Sequence, residues 1–121
     1  MIIKNFKSLA TSRERKLALQ IAEAGLQAIK TENIIKKNVK LKYNTLKING
    51  RSYNLNKYKR IFVVGAGKAS YGLAKEMEKI LGNKITNGMV IDIVSKKLRR
   101  IKVVRGNHPI ASSKNVKATK H

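Results

Sequence analysis

One short segment of the sequence combines a glycine-rich turn with a lysine. The stretch RIFVVGAGKAS, residues 60–70, ends an apolar run in Gly65 and Gly67, and Lys68 follows at once. A P-loop needs a glycine, four further residues and then Gly-Lys-Ser/Thr, and Phe62 stands where that first glycine is required. The segment is therefore not a P-loop, although its residues still suit an anion such as phosphate or carboxylate.

A dinucleotide fingerprint is a second interpretation of the same segment. It needs a third glycine or alanine where Ser70 stands, and an acidic residue about 20 positions on, for which Asp92 is the candidate. We expect Asp92 inside the next strand rather than at its end, which makes the match poor. A third interpretation is a tight turn in which glycine merely permits a positive φ. That explains both glycines but not the lysine.

The lysine itself points to a ligand. The spacing places Lys68 in the first turn of a helix, where the dipole and the unpaired N–H groups disfavour a cation by several tenths of a kcal/mol. A cation at this position is explained if an anion binds beside it. Phosphate and carboxylate are the candidates for that anion.

A second candidate is the segment RGNHPI, residues 105–110, at the end of another predicted strand. The carboxyl ends of parallel strands share one edge of a sheet, and ligands bind there. We therefore expect His108 and Lys68 to lie at the same edge. The alternative is a loop histidine that caps a helix or a backbone carbonyl. Pro109, the single proline of the chain, would fix the turn before the last helix.

The elements before this region follow from the hydrophobic pattern. Apolar residues at three- and four-residue steps predict an amphipathic helix that ends near Lys30, with Thr11 as N-cap and Glu14 completing a capping box. Alternating residues predict short strands in VKLKYN and TLKI, and Asn49-Gly50 predicts a hairpin turn into RSYNL. The apolar stripe of the helix consists of Leu17, Ala18, Ile21, Ala22, Gly25, Ala28 and Ile29.

The second half of the chain has the pattern of an α/β domain. The apolar run IFVV predicts a strand buried on both faces, and helical spacing then continues to Gly82, a plausible helix stop. GMVIDIV and IKVVRG predict two further strands, and Ser112 or Ser113 would cap a final helix. Strand, helix, strand is a βαβ unit. We predict a Rossmann-like, mostly parallel sheet flanked by helices, with a small N-terminal β-hairpin.

Composition limits the partners. The net charge of +22 favours nucleic acid or another anionic surface, although the accompanying Ile and Asn are also what A/T-rich codons supply. The lysines are spread along the chain and only six residues are aromatic, unlike a typical single-strand binder. The absence of cysteine excludes disulfides and thiolate metal sites. No apolar run approaches the roughly 20 residues of a membrane span, and the N-terminus lacks the apolar core of a signal peptide. We expect a cytoplasmic protein without a membrane partner.

Three segments together resemble one enzyme family. YNLNKYKRIFVVGAGKASYGLAKEMEKILG, then NGMVI, then LRRIKVVRGNHPI are similar to the N-terminal region of the glycerate 2-kinase family, which has a C-terminal MOFRL domain. Some of its members were earlier labelled hydroxypyruvate reductases. The likeness extends to the opening helix and the LKINGRSYNL hairpin. Its most specific parts are VVGAGKA and a Gly-His-Pro-like loop, here 106–109 with one residue inserted. Ala111 and Ser112 stand where the family usually has a second proline and often an acidic residue.

The resemblance implies a phosphotransferase. Its activity would be transfer of the γ-phosphoryl group of ATP, with Mg²⁺, to the 2-hydroxyl of D-glycerate. Lys68 matches the loop lysine of the family and would be the catalytic, fixed positive charge. The resemblance also implies that His108 lines the same cleft and that the turn binds the substrate or phosphate through Gly65, Ala66, Gly67 and Ser70. No residue of this chain is predicted to ligate a metal.

Length sets this chain apart from the family it resembles. Members are several-fold longer, with a second domain and a downstream catalytic arginine. We therefore expect residues 1–121 to form a single truncated N-terminal domain that has little kinase activity alone, with a separately encoded C-terminal half as a conceivable partner. Two alternatives stay open: a small basic nucleic-acid-binding α/β domain, and the dinucleotide-binding domain of an oxidoreductase.

Overall fold

Three helices open the chain. The structure, a computed structural model, describes residues 1–120. The first helices are α1 (Phe6–Leu9), α2 (Arg13–Ala28) and α3 (Thr31–Asn38). Neither α1 nor α3 was predicted, because the apolar residues of each are too few to show a period. Among the described residues, no helix combines the length and apolar character that crossing a bilayer requires.

The N-cap of α2 is Ser12, so the prediction of Thr11 is wrong. Ser12 has an extended backbone, and its hydroxyl oxygen accepts the N–H of Arg15 at 3.3 Å. That hydroxyl donates to the carboxylate of Glu14 at 2.8 Å. Thr11 instead accepts a bond from the Arg15 guanidinium. Two adjacent hydroxyl residues can each cap a helix, and the sequence does not show which of them adopts the extended conformation.

The predicted apolar stripe of α2 faces solvent. Leu17, Ile21 and Ile29 are each more than half exposed, and no residue of α2 is buried. The opposite face of the helix is half-buried. On that face, the Glu23 carboxylate accepts hydrogen bonds from the backbone of Ile3 and from Gln27. The helix is therefore amphipathic as predicted, but its apolar side contacts no core within the described residues.

An antiparallel sheet follows the helices. Its strands are β1 (Val39–Lys42), β2 (Thr45–Ile48) and β3 (Arg51–Asn54), paired in that order. Asn49 and Gly50 have φ of 47° and 83° and join Ile48 to its partner Arg51, so the predicted hairpin turn is confirmed. Leu55, predicted on the last strand, lies just beyond it in a 3₁₀ turn.

A parallel sheet forms the second half. Its strands are β4 (Phe62–Ala66), β5 (Asn87–Asp92) and β6 (Lys102–Arg105), in the order β4-β5-β6. Helix α4 (Ser70–Leu81) connects β4 to β5 and ends at Gly82 with φ of 53°. Helix α5 (Ser113–Ala118) follows β6, with Ser112 as its N-cap. The predicted α/β class, with a parallel sheet flanked by helices and a small antiparallel unit before it, is confirmed.

Both sheets contribute to one core. Ala74 of α4 and Val90 of β5 are almost fully buried, and Ile35 of α3 packs in the same cluster. The remaining buried apolar members are Val39, Leu46, Leu55, Leu81, Ile85 and Ile101. Helix α4 thus lies on the parallel sheet and joins it to α3 and the antiparallel sheet.

Strand β4 is not buried on both faces, contrary to the prediction from IFVV. Phe62 is 54% exposed and Val64 is 81% exposed. Within residues 1–120, β4 has one neighbouring strand, β5, and α4 packs on one face of the sheet only. A continuous apolar run shows that both faces suit burial, but the layers that cover them come from elsewhere in the fold.

Candidate functional site

The glycine-rich turn leaves the sheet between β4 and α4. Gly67 has φ of 116°, which favours glycine, and its N–H donates to the carbonyl of Ile91 at 3.0 Å. The N–H of Ser70 donates back to the carbonyl of Gly67 at 3.0 Å. Lys68 therefore lies in the turn, two residues before α4 begins, and not in the first helical turn as predicted.

Two backbone donors of this turn remain available. Within residues 1–120, no acceptor engages the N–H of Lys68 or of Ala69. The Lys68 ammonium likewise forms no ion pair among the described residues. Successive free N–H groups beside a cation are a favourable arrangement for an anion. The donors offered to a ligand are thus those that follow the glycines, since the N–H of Gly67 is already used in the sheet.

Asp92 occupies the amino end of α4. It is the last residue of β5, so the prediction that it lies inside the strand is wrong. Its Oδ2 accepts the N–H of Tyr71 at 2.8 Å, and its Oδ1 accepts the N–H groups of Ile93 at 2.6 Å and Val94 at 3.4 Å. The carboxylate is 3% exposed. An anion does sit at this helix terminus, as the helix dipole favours, and it belongs to the chain itself.

The His108 loop is held by hydrogen bonds to its neighbours. The N–H of Gly106 donates to the carbonyl of Asp92 at 2.8 Å, and the N–H of Asn107 donates to Oδ1 of Asn115 at 3.0 Å. The Asn115 amide returns a bond to the carbonyl of Asn107 at 3.3 Å. His108 is exposed and precedes a cis proline bond. Asn107 and Asn115, rather than His108, therefore connect this loop to α5.

Lys68 and His108 line one cleft at the carboxyl ends of the three parallel strands. The cleft has a volume of about 230 Å³. Ala66 and Gly67 belong to its wall, whereas Gly65 and Ser70 do not; Ser70 is buried, and a Cβ on Gly65 would lie 3.5 Å from its hydroxyl. The parallel arrangement thus places the two predicted chemical residues together, with the buried Asp92 at the base.

The sequence reasoning missed the role of Asp92 and of the asparagines. The spacing from the glycine turn to Asp92 was the available signal, since an acidic residue at the end of the second strand is a known companion of such turns. Asn107 and Asn115 lie eight residues apart and are brought together only by the loop and α5. Within residues 1–120, no three His, Cys, Asp or Glu residues cluster in a way that could hold a metal ion.

Comparisons with known proteins agree with the fold. The crystal structure of the PH0495 protein from Pyrococcus horikoshii OT3 superposes with a TM-score of 0.77 at 23% sequence identity, over 91% of this chain. The match covers 25% of that protein, so this chain spans about a quarter of its length. No curated protein matches the sequence. A family model described as a domain of unknown function, DUF4147, matches residues 17–121. The chain therefore belongs to the DUF4147 family.

Proposed function

We propose that this domain binds the anionic groups of the substrates of a glycerate 2-kinase. The observation that carries the proposal is the cleft that places Lys68, with two free backbone N–H groups, opposite the His108 loop. The same two segments, VVGAGKA and GNHP, carry the resemblance to the glycerate 2-kinase family. The DUF4147 domain fits the N-terminal part of proteins of that kind.

Lys68 would act by charge. Phosphoryl transfer depends mainly on positioning and on neutralising negative charge, since the transferred group carries it on its outer oxygens. The Lys68 ammonium and the N–H groups of Lys68 and Ala69 would bind the phosphoryl group or the carboxylate of glycerate. His108 lines the same cleft and would contact the same ligand.

The cleft suits the phosphate groups of ATP better than it suits Mg²⁺. Its donors are N–H groups and an ammonium, which bind phosphate oxygens. Among residues 1–120, Asp92 supplies the only carboxylate of the cleft wall, and both of its oxygens accept backbone N–H groups. Mg²⁺ prefers free carboxylate oxygens. We therefore assign the phosphates of ATP to this cleft and derive no step from a metal bound by these residues.

The remaining parts of the kinase site would come from further polypeptide. The chain spans about a quarter of the Pyrococcus horikoshii protein. The family it resembles has a catalytic arginine downstream of the matching region. We propose that full activity needs that additional polypeptide, whether in the same chain or separately encoded.

The test of this proposal is the substitution Lys68→Met. Binding of inorganic phosphate and of 2-phosphoglycerate to the 121-residue chain, measured by calorimetry at fixed ionic strength, should weaken about 10- to 100-fold, which corresponds to one charge-assisted contact. Lys75→Met is the matched control, because Lys75 is also exposed and lies on α4, outside the cleft wall. In a complete protein that contains this domain, Lys68→Met should abolish ATP-dependent formation of 2-phosphoglycerate.

Equal weakening of phosphate binding in the Lys68→Met and Lys75→Met variants would refute the role of Lys68.

The dinucleotide alternative has its own test. Asp92 stands at the strand end where a ribose-binding carboxylate is expected, but its oxygens are engaged by the backbone. Saturable NADH or NADPH binding in a fluorescence titration would contradict the kinase proposal.

A further inference from the structure

A second cleft adjoins the Lys68 cleft. Its volume is about 370 Å³, and Arg105 and Lys114 line it together with Asn107 and His108. Asn107 and His108 line the Lys68 cleft as well, so the two clefts share this wall. Lys68 therefore lines one of two adjacent clefts, and Arg105 and Lys114 line the other.

Among the residues that the structure describes, no acidic residue lines the second cleft to neutralise its cations. Residues 93–121 include nine Lys and Arg and no Asp or Glu. Each of the six carboxylates of the chain already has a hydrogen-bond partner elsewhere; they belong to Glu14, Glu23, Glu32, Glu76, Glu78 and Asp92. Among the described residues, neither Arg105 nor Lys114 forms an ion pair.

These two cations differ from most others of this basic chain because both line one cleft and both have backbones that belong to regular elements of the fold. Arg105 ends β6 and is in register with Asp92 of β5. Lys114 belongs to α5, which is capped by Ser112 and connected to the loop through Asn115. The Ser112 hydroxyl also donates to the Asn107 side chain at 3.1 Å. Hydrogen bonds therefore hold the loop and α5 together in the wall that carries these two cations.

We propose that Arg105 and Lys114 form a second anion-binding subsite, so that this sheet edge takes a small ligand with an anionic group at each end. An arginine fork binds two oxygens of a carboxylate or phosphate, and a lysine adds a point charge. One anionic group would lie at Lys68 and the other at Arg105 and Lys114. The identity of the ligand, a phosphorylated hydroxy acid or a nucleotide polyphosphate, rests on the proposed function. Its position rests on the two adjacent clefts.

The test compares ligands with one and with two anionic groups. Calorimetry at fixed ionic strength would measure inorganic phosphate, pyrophosphate and 2-phosphoglycerate binding to the chain and to its Arg105→Gln/Lys114→Gln variant. The affinity for pyrophosphate should weaken about tenfold or more in this variant, while the affinity for inorganic phosphate, which binds at Lys68, should change less than about twofold. Lys16→Gln/Lys37→Gln removes the same charge from exposed positions of α2 and α3 and should bind like the unmodified chain. Arg105→Lys, which keeps the charge, should show an intermediate loss.

The outcomes separate the subsite from the proposed function. Selective loss of pyrophosphate binding, with no binding of 2-phosphoglycerate to any variant, would support the subsite and contradict the glycerate ligand. Equal losses in the subsite variant and in the control would overturn the subsite. The subsite would also be overturned if the subsite variant and the control variant lost equal affinity for a single-stranded oligonucleotide and for pyrophosphate. Such a result would indicate diffuse attraction of polyanions. Circular dichroism would verify that each variant is folded.

Discussion

Asp92 and Lys68 have complementary roles at the amino end of α4. The Asp92 carboxylate accepts the N–H of Tyr71 and two N–H groups beyond β5, and it is buried. A free anion therefore does not need to fill the helix terminus. The donors left for a ligand are the N–H groups of Lys68 and Ala69 and the Lys68 ammonium. At the scale of residues, the site is thus a turn in which only some of the backbone N–H groups are hydrogen-bonded within the fold.

Gly106 is required by close packing rather than by its φ. A Cβ at this position would lie 2.6 Å from the Asn115 amide nitrogen and 2.7 Å from a methyl group of Ile91. Gly106→Ala should therefore destabilise the domain by about 1–3 kcal/mol, the usual effect of overpacking, and should loosen the His108 loop. Urea unfolding would measure the change in the free energy of unfolding.

Gly25→Ala is the matched control for this substitution. Gly25 lies within α2, and a Cβ there would meet no atom within 4 Å. We expect this change to stabilise the helix by about 0.5–1 kcal/mol. If the two glycine variants unfold at the same urea concentration, the close approach at Gly106 is not what determines its identity.

At the scale of elements, the parallel sheet is covered on the face that α4 contacts, and its other face is open at β4. Val90 of β5 is 1% exposed beneath α4, whereas Val64 of β4 is exposed. Val90→Thr buries a hydroxyl without a partner and should cost about 1–3 kcal/mol. Val64→Thr, the same chemical change, should alter the free energy of unfolding by less than about 0.5 kcal/mol. Thermal or urea denaturation of both variants would check this, and similar costs would show that β4 is covered on both faces.

Glu23, and not the apolar stripe of α2, connects this helix to the N-terminal residues Ile2 and Ile3. The N–H of Ile3 and the Gln27 amide, with a smaller contribution from Ile2, lower the pKa of Glu23 from its ordinary 4.5 to about 2. The ionised form is thus favoured in the folded state. The stabilisation from the hydrogen bonds between Glu23 and the N-terminal segment is therefore fully present above pH 4.5 and is lost as the pH falls through about 2. The amide resonances of Ile2 and Ile3 should follow this midpoint in an NMR titration.

Glu23→Gln provides the control for the pH dependence. A glutamine amide has a single acceptor oxygen and does not titrate, so the midpoint near pH 2 should disappear from the amide resonances of Ile2 and Ile3. A midpoint near 4.5 in the unmodified chain would contradict the contacts of Glu23 with the N-terminal segment.

At the scale of the whole molecule, repulsion among positive charges opposes folding. The chain has 28 Lys and Arg against six Asp and Glu, and its acidic groups are already engaged locally. Raising NaCl from about 0.01 to 0.3 M shortens the screening length from about 30 Å to below 10 Å, so the melting temperature should rise by several degrees. A melting temperature independent of salt would contradict this expectation.

Phosphate separates screening from specific binding. At equal ionic strength, phosphate should raise the melting temperature more than chloride, because a ligand that binds only the folded chain stabilises it. The additional rise should shrink in the Lys68→Met variant, while the effect of chloride stays. Identical curves in the two salts would contradict specific binding of phosphate.

The sequence by itself determined the local elements and the sheet edge at which Lys68 and His108 lie. The Asn49-Gly50 turn, the helix that ends at Gly82 and the three parallel strands follow from backbone preferences and period, which are local properties. Because parallel strands share a carboxyl edge, the order of the elements was enough to bring Lys68 and His108 to one cleft.

Only the tertiary structure decided what surrounds these elements. An apolar period shows which face of α2 or β4 suits burial, but a segment distant in sequence decides whether that face is covered. The hydrogen bonds of Asp92 to α4, and the place of Arg105 and Lys114 beside the His108 loop, depend on register and on packing between elements. Such contacts join residues far apart in the chain, and local periodicity carries no information about them.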